Sequence, residues 1–216
     1  LQASSRFCPT TKDATMPVIS ITLLPGYSRD AESRMVSRVA LAASSVIATP
    51  AAGTTVFVSH VSTYQRDGKV LGAGAGAPER IDASALVRRF LDHMEQRDLP
   101  AASRLLAPGF EMRFPGSPVM HTLDAMVARA RGAYRQVAKT YERFDESWAN
   151  DCTVVVCFGT LHGVWLDGSA FDSVRFIDRF EVTGDRISRQ DVWNDLALYK
   201  PATPNNSATS ATPDQS

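Results

Sequence analysis

The chain has 216 residues, with 23 Lys and Arg against 23 Asp and Glu, so its formal net charge is zero. That length makes one large domain or two small ones, and a hydrophobic content of 44% is ordinary for a soluble globular protein. Balanced charge argues against a nucleic-acid or anionic-membrane partner, and no apolar run has the length of a signal peptide or a bilayer span, so a cytoplasmic location is expected.

Residues 1–16 are polar and aperiodic, and are expected to be a leader that is disordered or untranslated. Met16-Pro17 follows, and then the β-branched run Val18-Ile19-Ser20-Ile21-Thr22-Leu23-Leu24. A proline at a chain terminus is a secondary amine that exchanges a proton near neutral pH, whereas an internal prolyl nitrogen is inert. Pro17 is therefore a candidate base if translation starts at Met16 and that methionine is removed.

The unit 17–68 reads as strand, helix, strand. Pro25-Gly26 marks a turn, Ser28 or Asp30 caps a helix running to about Ala48, and Thr54 to Thr63 forms the second strand. Parallel strands joined by a helix make a right-handed βαβ unit. About fifty residues so arranged leave a sheet face uncovered, so the unit is expected to pack against a copy of itself or another unit. The segment 69–80, centred on Gly72-Ala73-Gly74-Ala75-Gly76-Ala77-Pro78, has the composition of a flexible linker.

The unit 81–200 places helices first and strands last. Asp82 or Ser84 caps a helix with Leu86, Val87, Phe90, Leu91 and Met94 at helical spacing. A short helix is expected from Pro100 to Leu106, a strand from Phe110 to Phe114, and a helix from Thr122 to about Ala138. Strand-like runs then occupy Tyr141 to Trp148, Cys152 to Trp165, Phe171 to Val182 and Arg186 to Trp193. Hairpin turns fall at Asp167-Gly168 and Gly184-Asp185. The fold class is α+β: the βαβ unit, a linker, and a curled antiparallel sheet wrapped over helices with a pocket at its open end. Residues 201–216 form a low-complexity tail, expected to be disordered.

Three cysteines occur, at 8, 152 and 157. Cys152 and Cys157, five apart in a strand, lie on opposite faces and are expected to be free thiols. No Cys/His spacing fits a zinc site. Strand alternation puts Asp178 on the apolar face with Val174, Phe176, Phe180 and Val182. An acid on such a face is either a pocket acid or a structural acid bonded to an arginine or an indole. His121 and His162 are candidate bases or surface residues. His60 and His93 read as structural. The tryptophans 148, 165 and 193, with Phe110, Phe114 and Phe158, read mostly as core, with some at the pocket mouth.

Met16-Pro17, the strand after it, Leu24-Pro25-Gly26-Tyr27-Ser28, the helix and the second strand together resemble the 4-oxalocrotonate tautomerase family. That resemblance implies Pro17 as general base in keto–enol chemistry. The family commonly has arginines where this chain has Tyr27 and Phe57, so the implied substrate is an uncharged or aromatic enol rather than a dicarboxylate.

A second resemblance rests on residues 85–99, on Phe114-Pro115-Gly116, and on the strand from Val174 to Val182. Gly184-Asp185-Arg186-Ile187 and Trp193-Asn194-Asp195 complete it. These residues are similar to the SnoaL-like branch of the nuclear-transport-factor-two superfamily, which also holds ketosteroid isomerase and limonene epoxide hydrolase. It implies a small-molecule pocket lined by Phe90, Phe114, His121 and Trp193, with Asp178 as the acid that polarises a substrate carbonyl. Phe90 and Phe114 occupy positions where the isomerase carries its tyrosine and its base, so that particular activity is not expected. Asp195 matches an epoxide-hydrolase acid by position and reads equally as an exposed strand end.

Together these readings imply a proton-transfer isomerase, tautomerase or cyclase for a small apolar carbonyl compound. It would use no metal or organic cofactor and would assemble as a homodimer or hexamer. The alternative is a non-enzymatic ligand-binding domain beside an inactive tautomerase-like oligomerisation module.

Overall fold

A computed structural model describes residues 16–72, 79–149 and 151–199. The expected leader (through residue 15) and the tail from 201 lie outside them. The chain divides into two compact units, 1–80 and 81–216.

In the first unit, β1 (Val18–Leu23) pairs in parallel with β2 (Thr55–His60), from Val18 opposite Thr55 to Leu23 opposite His60. Helix α1 (Arg29–Ser44) connects them. Ser28 caps it, its hydroxyl accepting from Ala31 N–H at 3.1 Å, and Asp30 and Glu32 in the first turn favour the positive end of the helix dipole. The helix stops short of the expected Ala48. The hydroxyls of Ser44 and Ser45 bond back to the carbonyls of Leu41 and Ala42, competing with further helix. Glu79 accepts from both the N–H and the hydroxyl of Ser28, which holds its carboxyl below the usual range.

Residues 69–72 are strand rather than the expected linker. β3 (Thr63–Arg66) and β4 (Lys69–Gly72) form an antiparallel hairpin across Asp67-Gly68. Both turn residues have positive φ, 52° and 73°, as a tight two-residue hairpin requires. The rest of that linker, 73–78, lies outside the described residues. Among the described hydrophobic residues of this unit only Ala40 is buried, and Val18 and Phe57 on the two strands are exposed.

The second unit has its own core. Its elements are α2 (Ala83–Glu95), α3 (Leu99–Ser103), β5 (Leu106–Arg113), α4 (Leu123–Arg131) and β6 (Tyr134–Ala149). They continue with β7 (Cys152–Trp165), β8 (Ala170–Thr183), β9 (Arg186–Asn194) and α5 (Leu196–Tyr199). The sheet order is β5-β9-β8-β7-β6: an antiparallel meander with β5 added in parallel to β9. Asp82 caps α2 by accepting from Ala85 N–H, and Leu86, Val87, Phe90 and Leu91 form its buried stripe. They pack on Val155, Cys157, Phe176, Phe180 and Val182 from the inner face of the sheet. Among the described residues no helix is long and apolar enough to cross a membrane.

Helix α4 ends at Arg131, not near Ala138, because Gly132 caps it and the strand begins at Tyr134. Irregularities in the long strands change which residues face inward. The register of β6 on β7 shifts between Tyr141 and Arg143. Val137 and Tyr141 pack on the core before the shift, and Phe144 after it. In β8, Ser173 has φ 58°, and this extra residue lets both Phe171 and Val174 point inward. Trp165 is buried as expected, but Trp148 and Trp193 stand on the solvent side.

Gly159 sits where β6 and β7 approach too closely for a side chain. A Cβ there would lie 2.0 Å from the Thr140 carbonyl oxygen and 2.9 Å from the Phe176 ring. Replacing Gly159 with alanine should lower unfolding free energy by about 2–3 kcal/mol, because backbone and a packed ring must both give way. Urea unfolding of the two proteins measures it; an unchanged midpoint would mean that β6 and β7 are not packed this closely.

Candidate functional site

The apolar residues of the cone's inner surface leave a cavity of about 150 Å³. That is the size of an engineered cavity that takes up benzene, so it holds about one six-membered ring. Phe90, Leu91 and Met94 from α2 form one wall, Met112 and Phe114 another, and Tyr134, Val137 and Tyr141 of β6 the opposite side. Glu95, the last residue of α2, and Arg97 just beyond it also line the cavity.

Asp178, Lys139 and Gln190 form a polar cluster within this largely apolar lining, which Asn194 also joins. Asp178, on the inner face of β8, is 0% exposed. Its Oδ2 accepts from Lys139 Nζ on β6 and, at 3.3 Å, from Gln190 Nε2 on β9. Oδ1 is buried and has no hydrogen-bond partner among the described residues. The Lys139 side chain retains 25% exposure, and its Nζ sits 4.5 Å from the centre of the Phe176 ring. The ion pair thus has a hidden end, the carboxylate, and a presented end, the ammonium.

The charge of Asp178 also acts on its neighbours. Burial, reinforced by that charge, raises Tyr141 far above the ordinary phenol range. The same two causes, in the same order, push the Cys157 thiol up to about 12. Both groups stay neutral in the physiological range. Cys157 is therefore a packing residue, whereas Tyr141 brings an uncharged hydroxyl-bearing ring to the cavity, edge-on to Phe176 at 5.8 Å.

The residues proposed from the sequence separate here. Phe90, Phe114 and Asp178 line the cavity. His121 does not. Met112 and Met120 bridge to each other and fold the intervening loop back, and His121 Nδ1 then lies 3.1 Å from the Phe110 carbonyl oxygen beside a different surface depression. Trp193 does not either. Gln190 and Val192 take the inward positions of β9, so Trp193 alternates outward and is 51% exposed. Asp195 is bound to Arg175 at 2.8 Å and lies outside the cavity. Pro17 belongs to the first unit, where its carbonyl accepts from Thr55 N–H.

Lys139, Tyr141 and Gln190 escaped the sequence reading. Lys139 sat at the edge of an expected helix. Had the Gly132 stop been applied, alternation back from Tyr141 would have put Lys139 on the same face.

Residues 87–190, all within the α+β second unit, match the family model for the SnoaL-like domain. No curated protein matches the chain. Among solved structures, an NTF2-like protein of unknown function from Burkholderia pseudomallei is 21% identical with a TM-score of 0.46, covering 54% of this chain and 92% of that one. A candidate ketosteroid isomerase from Shewanella frigidimarina is 15% identical with a TM-score of 0.44, over 51% of this chain and 94% of its own. A candidate polyketide cyclase from Xanthomonas campestris is 15% identical with a TM-score of 0.43, over 54% and 93%.

Asp178 and Lys139 should be energetically coupled. Lys139→Met strands a buried carboxylate and should cost about 3–5 kcal/mol, whereas Lys139→Met combined with Asp178→Leu should recover much of that loss. A double-mutant cycle from chemical denaturation measures the coupling. Additive losses would mean that the two side chains do not share an ion pair.

Proposed function

We propose that the SnoaL-like unit is a cofactor-independent isomerase or cyclase that moves a proton within a small apolar carbonyl compound. One observation carries this reading: an ammonium group held in place by a fully buried carboxylate, presented to a cavity of apolar and aromatic side chains. A carbonyl oxygen seated on Lys139 Nζ is polarised, and the negative charge that builds on it during enolisation is stabilised in a low-dielectric site. Asp178 fixes the position of that ammonium and, with Gln190, keeps it from reorienting when the substrate arrives. Glu95 is the other carboxylate lining the cavity, and it is the group that carries the proton between substrate carbons. The apolar walls and the size of the cavity favour a single-ring substrate.

The test uses cyclohex-3-en-1-one, whose isomerisation to the conjugated 2-enone is followed by ultraviolet absorbance. The wild-type protein should accelerate the reaction over buffer. Glu95→Gln and Lys139→Met should each reduce the rate by about a hundredfold, the usual size of one general acid or base. Binding of the ketone with no acceleration would instead favour the ligand-binding alternative.

For the first unit the proposal is a tautomerase-like module, supported by the parallel β1–β2 pair and its connecting helix. Pro17 is its base only where processing frees the prolyl nitrogen. The mass of the native N-terminus, followed by phenylenolpyruvate ketonisation with wild type and Pro17→Ala, tests this. Equal rates from a chain that begins at Pro17 would remove Pro17 from the mechanism. The low burial of the unit supports homo-oligomeric assembly. A cytoplasmic location completes the proposal, where Cys152 and Cys157 stay reduced as free thiols.

A further inference from the structure

We infer that Lys139 is also a covalent nucleophile, condensing with an aldehyde or ketone in the cavity to form an imine. The inference rests on the reading above that the cavity admits small carbonyl compounds. Four features converge on Nζ. It is the presented end of the ion pair, since Asp178 beneath it is 0% exposed. Its surroundings are apolar and aromatic, with the Phe176 ring 4.5 Å away, so a carbonyl compound that enters lies against it with little water between. Its partner carboxylate has a second oxygen, Oδ1, that is buried and holds no donor, and so has an unused place for a proton. The other nucleophile nearby is disabled, because burial keeps the Cys157 thiol protonated.

The step balances within the pair and the substrate. The Lys139 ammonium gives one proton to Asp178, and the amine lone pair then forms a bond to the carbonyl carbon as the C=O π pair moves to oxygen. A proton passes from nitrogen to that oxygen, giving a neutral carbinolamine. Asp178 returns its proton to the hydroxyl, which leaves as water while the nitrogen lone pair forms the C=N bond. Ammonium and carbonyl compound become a protonated imine and water. Total charge is unchanged, nothing is oxidised or reduced, and the Asp178 carboxylate is again the counter-ion.

The chain has four lysines, at 12, 69, 139 and 200, which makes the site of reaction easy to read. Benzaldehyde, a single-ring probe, is incubated with the full chain, and sodium cyanoborohydride reduces any imine to a stable benzylamine. Peptide mass spectrometry then reports the labelling of each lysine with time. Lys139 should be benzylated at least about tenfold faster than the exposed Lys69, because the cavity holds aldehyde and amine together. Asp178→Asn should slow labelling at Lys139 and leave Lys69 unchanged, which a general loss of reagent would not do. Equal labelling at Lys69 and Lys139, or none at Lys139, would overturn the inference. If enone isomerisation proceeds while Lys139 stays unlabelled, the imine is wrong and the isomerase reading stands. Labelling without isomerisation is the reverse.

Discussion

A carboxylate on the inner face of a sheet costs several kcal/mol of desolvation unless other groups meet it, and Asp178 is such a carboxylate. It sits between Phe176 and Phe180 on a strand whose inward positions are otherwise apolar. The cone answers from both sides of β8: Lys139 reaches in from β6 and Gln190 from β9. Meeting the cost therefore ties three strands of the sheet together beneath one cavity. It also leaves a cation at the cavity surface that an apolar core alone would never place there. The polar character of the pocket floor is thus a consequence of burying one acid, and any chemistry the pocket performs inherits its geometry from that pairing.

The same two strands carry a second acid that shows what full satisfaction looks like. Asp191, on β9, lies directly across from Arg179 on β8. Its Oδ2 receives Arg179 at 3.3 Å and Arg189 at 2.9 Å, while Arg179 also meets Glu181 at 2.8 Å. Cations clamp it from both sides on the outer face, and its hydrogen bond raises Arg189 above its ordinary value. A clamped carboxylate of this kind holds a sheet together and has little left to offer a ligand. Asp178 differs in having one oxygen engaged and the other bare. A buried acceptor without a donor is not explained by stability alone, since a fully bonded or apolar residue would cost less. The asymmetry between the two acids is the physical reason for placing function on the inner face.

Much of the second unit was legible because its signals are local. Alternation in Val174 to Val182 placed Asp178 inward, Asp82 and Thr122 acted as the helix caps they resemble, and β7 runs from Cys152 to Trp165 as its pattern predicts. The losses have equally local causes. The Ala-rich stretch around Arg131 reads as helix on both sides of Gly132, so the first residues of β6 were absorbed into α4 and Lys139 was left at its edge. The irregularity between Tyr141 and Arg143 switches the inward face from odd to even positions, which no fixed two-residue period reproduces. His121 and Trp193 were assigned to the pocket by family position. Residue type and approximate place did not specify that one would fold back along the Met112–Met120 bridge and the other would face outward. In the first unit the β3–β4 hairpin was hidden by its neighbours, because the glycine-rich run dominates the composition from residue 72 onward.

What remains at the cavity surface has a simple proton inventory. Tyr141 on the lining, and Cys157 packed behind it, hold their protons because they are buried and because a negative charge sits beside them. Gln190 has none to give at any accessible pH. The ion pair on the cavity floor is Lys139 with Asp178, and Glu95 supplies a carboxylate elsewhere on the lining. A floor with one ion pair and an apolar roof does not select a substrate by many hydrogen bonds. Under the proposed function it would select by shape, by the presence of one carbonyl oxygen, and by whether the carbon beside that oxygen can lose or gain a proton. Substitutions in the walls, at Phe90, Met112 or Phe114, then change which ring fits, while substitutions on the floor change what happens to it. That division follows from confining the ionic groups of the floor to a single pair, and it is what an apolar cone built over one buried acid can offer chemically.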